Sequence, residues 1–143
     1  MYLYSFEKLE VWQNTRMLIK NIYTLTSVFP KSETFGLTDQ LRRAVLGINL
    51  NIAEGTNRAN SKDKARFINQ AYSSAGEVLA CLTASLDLEL ISEQQYQSTR
   101  NEIEKITNQL NKLYKAYLMG TGHGFSKQSQ TTTQLTKSPT QQS

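Results

Sequence analysis

Apolar residues recur at helical spacing along most of the chain. Val11, Thr15, Leu18, Ile22, Leu25 and Phe29 follow a 4-3-4-3-4 spacing, and Leu9, Trp12, Ile19, Tyr23 and Thr26 form an adjacent stripe. The two stripes predict an amphipathic helix over about Leu9 to Val28 with a wide apolar face. Phe29-Pro30 ends it, because the residue before a proline avoids the helical region. A second helix is predicted from about Thr38 to Asn57, with Thr38 or Ser32 as its cap. A third starts near Ser61, read as the N-cap, and continues to about Leu90. Its apolar positions Ile68, Tyr72, Ala75, Leu79, Leu82, Leu86 and Leu90 repeat every three or four residues. Its middle is rich in Ala, Ser and Gly, from Ala71 to Ser85, and small side chains let a neighbouring helix come close. The fourth opens on Ser92-Glu93-Gln94-Gln95, a capping-box pattern. Tyr96, Thr99, Ile103, Ile106, Leu110, Leu113 and Tyr117 then form a heptad stripe. Short loops between helices of about 30–42 Å make neighbours antiparallel. The expected fold is all-α, an up-down-up-down antiparallel four-helix bundle.

Composition sets the boundary of that bundle. The chain has 143 residues and only two prolines, Pro30 and Pro139, so more than a hundred residues run without a helix breaker. Between Met119 and Ser143, Thr, Ser, Gln and Gly supply 18 of 25 positions. Such a segment buries too little surface to offset its ordering entropy. A bundle domain over 1–118 and a disordered Thr/Ser/Gln-rich tail over 119–143 are therefore expected. The N-terminus lacks the basic and apolar regions of a signal peptide, and no apolar run is long enough to span a bilayer. A cytoplasmic protein with no membrane partner is expected.

The second helix does not divide into one wet and one dry side. Leu37, Leu41, Ala44, Val45, Ile48 and Ile52 share one sector, the expected bundle core. Leu46, Leu50 and Ala53 share a second apolar sector roughly 150° away, at 100° per residue. Two apolar faces need two partners. One is the core, and the other is a neighbouring helix or another subunit. A homo-oligomer interface through Leu46, Leu50 and Ala53 is the sharper expectation. A polar ladder of Gln40, Arg43, Gly47, Asn51, Glu54 and Arg58 runs between the sectors, with Arg42 and Asn49 in the opposite gap. Glu54 and Arg58 are spaced to attract one another. Arg43 is three turns from Glu54, so its counter-charge is expected from a partner helix. Gln40, Arg43, Asn51, Glu54 and Arg58 are read as a partly buried structural network that fixes helix register, with ligand binding as the alternative.

Net charge is +4, which permits an acidic partner. It is unevenly placed. Arg42, Arg43, Arg58, Lys62, Lys64 and Arg66 face only Glu54 and Asp63 between positions 42 and 66. From Glu77 to Glu104, six acids face Arg100 alone. Arg42, Arg58, Lys62, Lys64 and Arg66 are the candidate nucleic-acid contacts, able to meet phosphates and release counterions. The other readings are a solvated loop, or a basic stretch that docks on a neighbour's acidic one.

Catalytic chemistry is missing. The single cysteine, Cys81, lies in an apolar run with no nearby His or Lys to activate it. The single histidine, His123, lies beside glycines in the expected tail. Glu77, Asp87, Glu89, Glu102 and Glu104 have no histidine in the expected body to complete a di-iron motif, and no phosphate-binding loop is present. No catalytic residue, metal or cofactor is expected.

One family pattern gathers these features. Phe6-Glu7-Lys8-Leu9-Glu10-Val11-Trp12, Phe29-Pro30, Glu33, Phe35-Gly36-Leu37, Gln40 with Arg42-Arg43-Ala44, and Asn51-Ile52-Ala53-Glu54-Gly55 occur in order, followed by Arg58, Phe67 and Ala71. In these residues the chain resembles the four helix bundle protein family, also called 23S rRNA intervening-sequence proteins, over about 5–118. Asn49 departs from the pattern, since many members have proline there. The resemblance implies an up-down-up-down bundle that assembles as a pentamer. It also implies a gene related to intervening sequences of large-subunit ribosomal RNA. A structurally similar accessory protein of diversity-generating retroelements binds nucleic acid and a reverse transcriptase. The partners this implies are further copies of the chain, and RNA or a nucleic-acid enzyme. A scaffold or accessory subunit without direct nucleic-acid contact is the alternative role.

Overall fold

The computed structural model of the chain describes residues 1–120. The tail expected over 119–143, with His123, lies outside the described residues apart from Met119 and Gly120. Four helices follow one another: α1 (Glu10–Thr26), α2 (Leu37–Thr56), α3 (Ser61–Asp87) and α4 (Glu93–Leu118). Short 3-10 turns at Ser5–Lys8 and Lys31–Glu33 precede α1 and α2. The described residues form the expected all-α four-helix bundle.

Side-chain hydrogen bonds between helices give the directions. Thr26 at the end of α1 meets Arg42 early in α2, and Thr15 meets Asn49 further along. Thr83 of α3 meets Tyr96 of α4. Asn14 and Asn21 of α1 meet Gln109 and Glu102 of α4 in reverse order. Every neighbouring pair is thus antiparallel. The starts of α1 and α3 share one end of the bundle with the finishes of α2 and α4.

The predicted stripes supply the core. Leu18, Ile22, Val45, Ile48, Ile52, Ile68, Leu82 and Leu110 are fully inaccessible. Helix ends differ from expectation in instructive ways. Neither Thr38 nor Ser32 caps α2. The Glu33 carboxylate accepts from the Leu37 N–H at 3.0 Å, placing negative charge at the positive end of the helix dipole. Gly36 makes room for it, since a Cβ there would lie 2.6 Å from the Glu33 oxygen. Asn60, one residue before Ser61, caps α3 by accepting from the Asp63 N–H. Helix α3 stops at Asp87 because Glu89 turns into the left-handed region at φ 61°. The Ser92 capping box forms as expected, with Gln95 as its reciprocal partner.

Asn49 earns its place in an otherwise apolar interface. It is buried, and its amide donates to the Thr15 hydroxyl at 2.9 Å, which in turn donates to the Trp12 carbonyl. This pair joins α1 to α2 where a proline would have left no side-chain donor. Thr15→Val strands the Asn49 amide and is expected to cost about 1–3 kcal/mol in urea unfolding. Adding Asn49→Leu should recover most of that loss. Equal stability of Thr15→Val and the parent chain would show that the bond contributes nothing.

Candidate nucleic-acid interface

The α2–α3 turn is built around a close helix approach. Gly55, in the last turn of α2, lies against the start of α3. A Cβ at this position would stand 3.0 Å from the Phe67 Cβ and 3.2 Å from the Lys64 carbonyl oxygen. Gly47, two turns earlier, would meet the Ser74 hydroxyl at 3.0 Å. A Cβ at either position would crowd α3 by a few tenths of an ångström, so glycine favours this close spacing, and the spacing decides where the cations fall.

The Phe67 ring meets two of them. The Arg58 guanidinium is 4.5 Å from its ring centre, and that of Arg66 is 4.6 Å. Each arginine also touches a carboxylate on its own helix turn. Arg58 reaches Glu54 at 2.8 Å and Arg66 reaches Asp63 at 3.4 Å. Both pairs are well exposed, so their attraction is weak and screened by salt. The Arg58 Nε is buried with no acceptor among the described residues. Lys64 packs inward. Its ammonium donates to the Thr56 carbonyl at 3.0 Å and lies 5.5 Å from the Tyr117 ring centre. Burial pushes its pKa below the usual lysine value. Lys62 is exposed at the tip.

The structure therefore brings Arg58, Lys62, Lys64 and Arg66 together, and it leaves Arg42 out. Arg42 is sixteen residues earlier on α2, about 24 Å away along the axis. Its Nε donates to the Thr26 hydroxyl at 2.9 Å and its guanidinium lies 4.4 Å from the Tyr23 ring centre. It holds α2 on α1. The Lys64–Tyr117 contact also brings the end of α4 here, so Lys112 and Lys115 join the same end of the bundle. Lys8 and its 3-10 turn join from α1. The primary sequence hides this gathering because the residues come from three separate segments. The up-down topology was the signal that could have found it.

The polar ladder of α2 is not one network. Arg43 is exposed and pairs with Asp39 at 3.1 Å, so its counter-charge comes from its own helix, one turn back, rather than from a partner helix. Asn51 donates to the Gly47 carbonyl, Glu54 pairs with Arg58, and Gln40 is exposed. These are local contacts along one helix edge. On the outer side of α2, Leu46 and Ala53 are half-buried and Leu50 remains 61% exposed. The chain's own helices do not cover that face fully.

Elsewhere, an open groove of about 480 Å³ lies between α1 and α4. Glu102 lines it and accepts from the Asn21 amide at 2.8 Å. Burial raises its carboxyl pKa, partly offset by that hydrogen bond. Burial, and then Glu77, push the Cys81 thiol pKa up, which lowers its thiolate fraction. No group of three or more His, Cys, Asp or Glu among the described residues is placed to hold a metal. No helix among them is long and apolar enough to cross a membrane.

A raised carboxyl pKa means that the folded state holds the proton more tightly than the unfolded chain. The folded state is then relatively favoured at low pH, and that advantage is lost as pH rises through the folded pKa. Glu102→Gln is expected to raise the melting temperature at neutral pH. The gain should shrink as pH falls through the carboxylate range. A gain that is the same at both ends of the range would assign it to something other than ionisation.

Residues 7–112 match the family described as 23S rRNA-intervening sequence protein. No curated protein matches the chain. Among solved structures, the chain resembles a crystal structure of a protein of unknown function from the S23 ribosomal protein family of Bacteroides thetaiotaomicron. The TM-score is 0.66 at 24% identity, covering 73% of this chain and 98% of that one. That likeness is one of fold.

Proposed function

Because the chain belongs to the 23S rRNA-intervening sequence protein family, we propose that it is a non-catalytic, homo-oligomeric bundle that holds RNA through its basic end. The observation that carries this reading is the gathering at that end. Arg58, Lys62, Lys64 and Arg66 gather at the α2–α3 turn, and the segments that carry Lys8, Lys112 and Lys115 reach the same end, against Glu7, Glu10, Glu54 and Asp63. Phosphates attract such a surface and release their counterions on binding. Arginines stacked on a ring keep their outer N–H groups available for phosphate oxygens. Glu54 and Asp63 pair with Arg58 and Arg66 through weak, displaceable contacts.

Assembly is supported by the outer face of α2. Leu46, Leu50 and Ala53 lie along it, and an apolar strip of this kind on a long helix favours burial against another copy. The resemblance implies five copies. Repeating the basic end around a ring would add the fields of the separate chains. A scaffold that binds a protein and no RNA would use the same outer face of α2. It would keep its partner after nuclease treatment.

Two measurements test the reading. Arg58→Ala with Lys62→Ala should weaken RNA binding and lower the log–log salt slope by about 1.4 for a single strand, the share of two phosphate contacts. An unchanged slope would reject the basic end as the contact. Leu46→Glu with Leu50→Glu should give monomers by light scattering while helicity by circular dichroism persists. An unchanged mass would reject that face as the interface.

A further inference from the structure

The first residues carry a run of aromatic rings that the core leaves largely unused. The Tyr2 and Tyr4 ring centres are 5.1 Å apart, edge to face. Tyr4 and Phe6 follow at 6.2 Å with planes 14° apart, and Phe6 meets Trp12 at 4.9 Å. The Arg16 guanidinium closes the run, 5.5 Å from the Trp12 ring centre. Its inner end is anchored. Phe6 and Trp12 are half-buried, the Tyr4 N–H donates to the Glu7 carboxylate at 2.8 Å, and the Gln13 amide donates to the Glu7 carbonyl. Its outer end is open, with Tyr2 76% and Tyr4 57% exposed.

The register of α1 on α2 places this run. Thr26 opposes Arg42 and Thr15 opposes Asn49. The start of α1 therefore lies at the end of the bundle where α2 finishes, and the Ser5–Lys8 turn, which leaves the α1 axis at the extended Leu9, packs there on both α1 and α2. The rings therefore sit toward the end of the bundle that carries the cations around Phe67, instead of at the acidic end near Asp87, Glu89 and Glu93. Exposed rings at a cationic end supply the two elements of single-strand recognition: the charges follow the backbone, and the rings take the flat faces of unpaired bases. In a duplex those faces are already stacked on each other, and recognition falls to backbone shape.

We propose that the Tyr2–Tyr4 run is a base-stacking platform that makes the basic end prefer single-stranded to double-stranded RNA. This rests on the RNA reading above and adds the class of RNA. The test uses the full chain in fluorescence anisotropy, with a short mixed-sequence single strand and the duplex of the same sequence. The parent chain should bind the single strand more tightly. Tyr2→Ala with Tyr4→Ala should weaken single-strand binding about tenfold, the effect of one lost stacked base. Duplex affinity and the salt slope should stay unchanged, and Tyr2→Phe with Tyr4→Phe should retain tight binding. Equal losses on both RNAs, or no loss on either, would overturn the platform. A changed oligomeric mass in the alanine variant would overturn it too, by assigning the rings to a contact between copies. If Arg58→Ala with Lys62→Ala weakens both RNAs while the tyrosine changes do nothing, the platform alone fails. If the parent chain binds neither RNA, the basic-end reading fails with it.

Discussion

The close approach of α2 and α3 at Gly55 governs the arrangement of the rest. Two helices that meet this tightly at the end of one and the start of the other leave a turn of only a few residues. The side chains flanking that turn cannot spread. Arg58 is laid over Phe67, Arg66 meets the same ring, and Lys64 turns back onto the Thr56 carbonyl. On its opposite flank α2 is tied to α1 by Asn49–Thr15 and Arg42–Thr26. The second helix is thus clamped from both sides, and its outer edge carries what neither neighbour covers.

The electrostatics of the basic end follow from helix ends as much as from residue counts. The last carbonyls of α2 present partial negative charge, which favours the Lys64 ammonium beside Thr56 despite its burial. The first turn of α3 favours an anion, and Asp63 stands there. One cation is therefore used inward to close the turn. Arg58, Lys62 and Arg66 face outward, restrained by exposed and screened pairs.

Much of the fold was legible in the chain. The four stripes matched their helices to within a few residues, since 3.6-residue periodicity over long segments admits few alternatives. The Ser92 box was legible because its two hydrogen bonds are local. Asn60 and Glu33 were harder to read. Several neighbouring residues can cap a helix, and a carboxylate four residues ahead of a helix start leaves no short motif. The candidate site was half legible. Arg58, Lys62, Lys64 and Arg66 are near in sequence and near in space. Arg42 belongs to the same basic stretch but points to another helix, because sixteen residues of helix separate position in the chain from position on the surface. Lys112, Lys115 and the N-terminal rings reach the same end only through the bundle topology. Arg43 illustrates a different error: its partner was sought across a helix interface when Asp39 stood one turn away.

The central claim is that function resides at the end of the bundle formed by the α2–α3 turn. Amide hydrogen exchange on the full chain, with and without single-stranded RNA, tests it most directly. Slower exchange confined to residues 1–8, 56–67 and 112–118 is the predicted result. Protection confined to the opposite end, around 31–37 and 87–93, or no protection at saturating RNA, would contradict it.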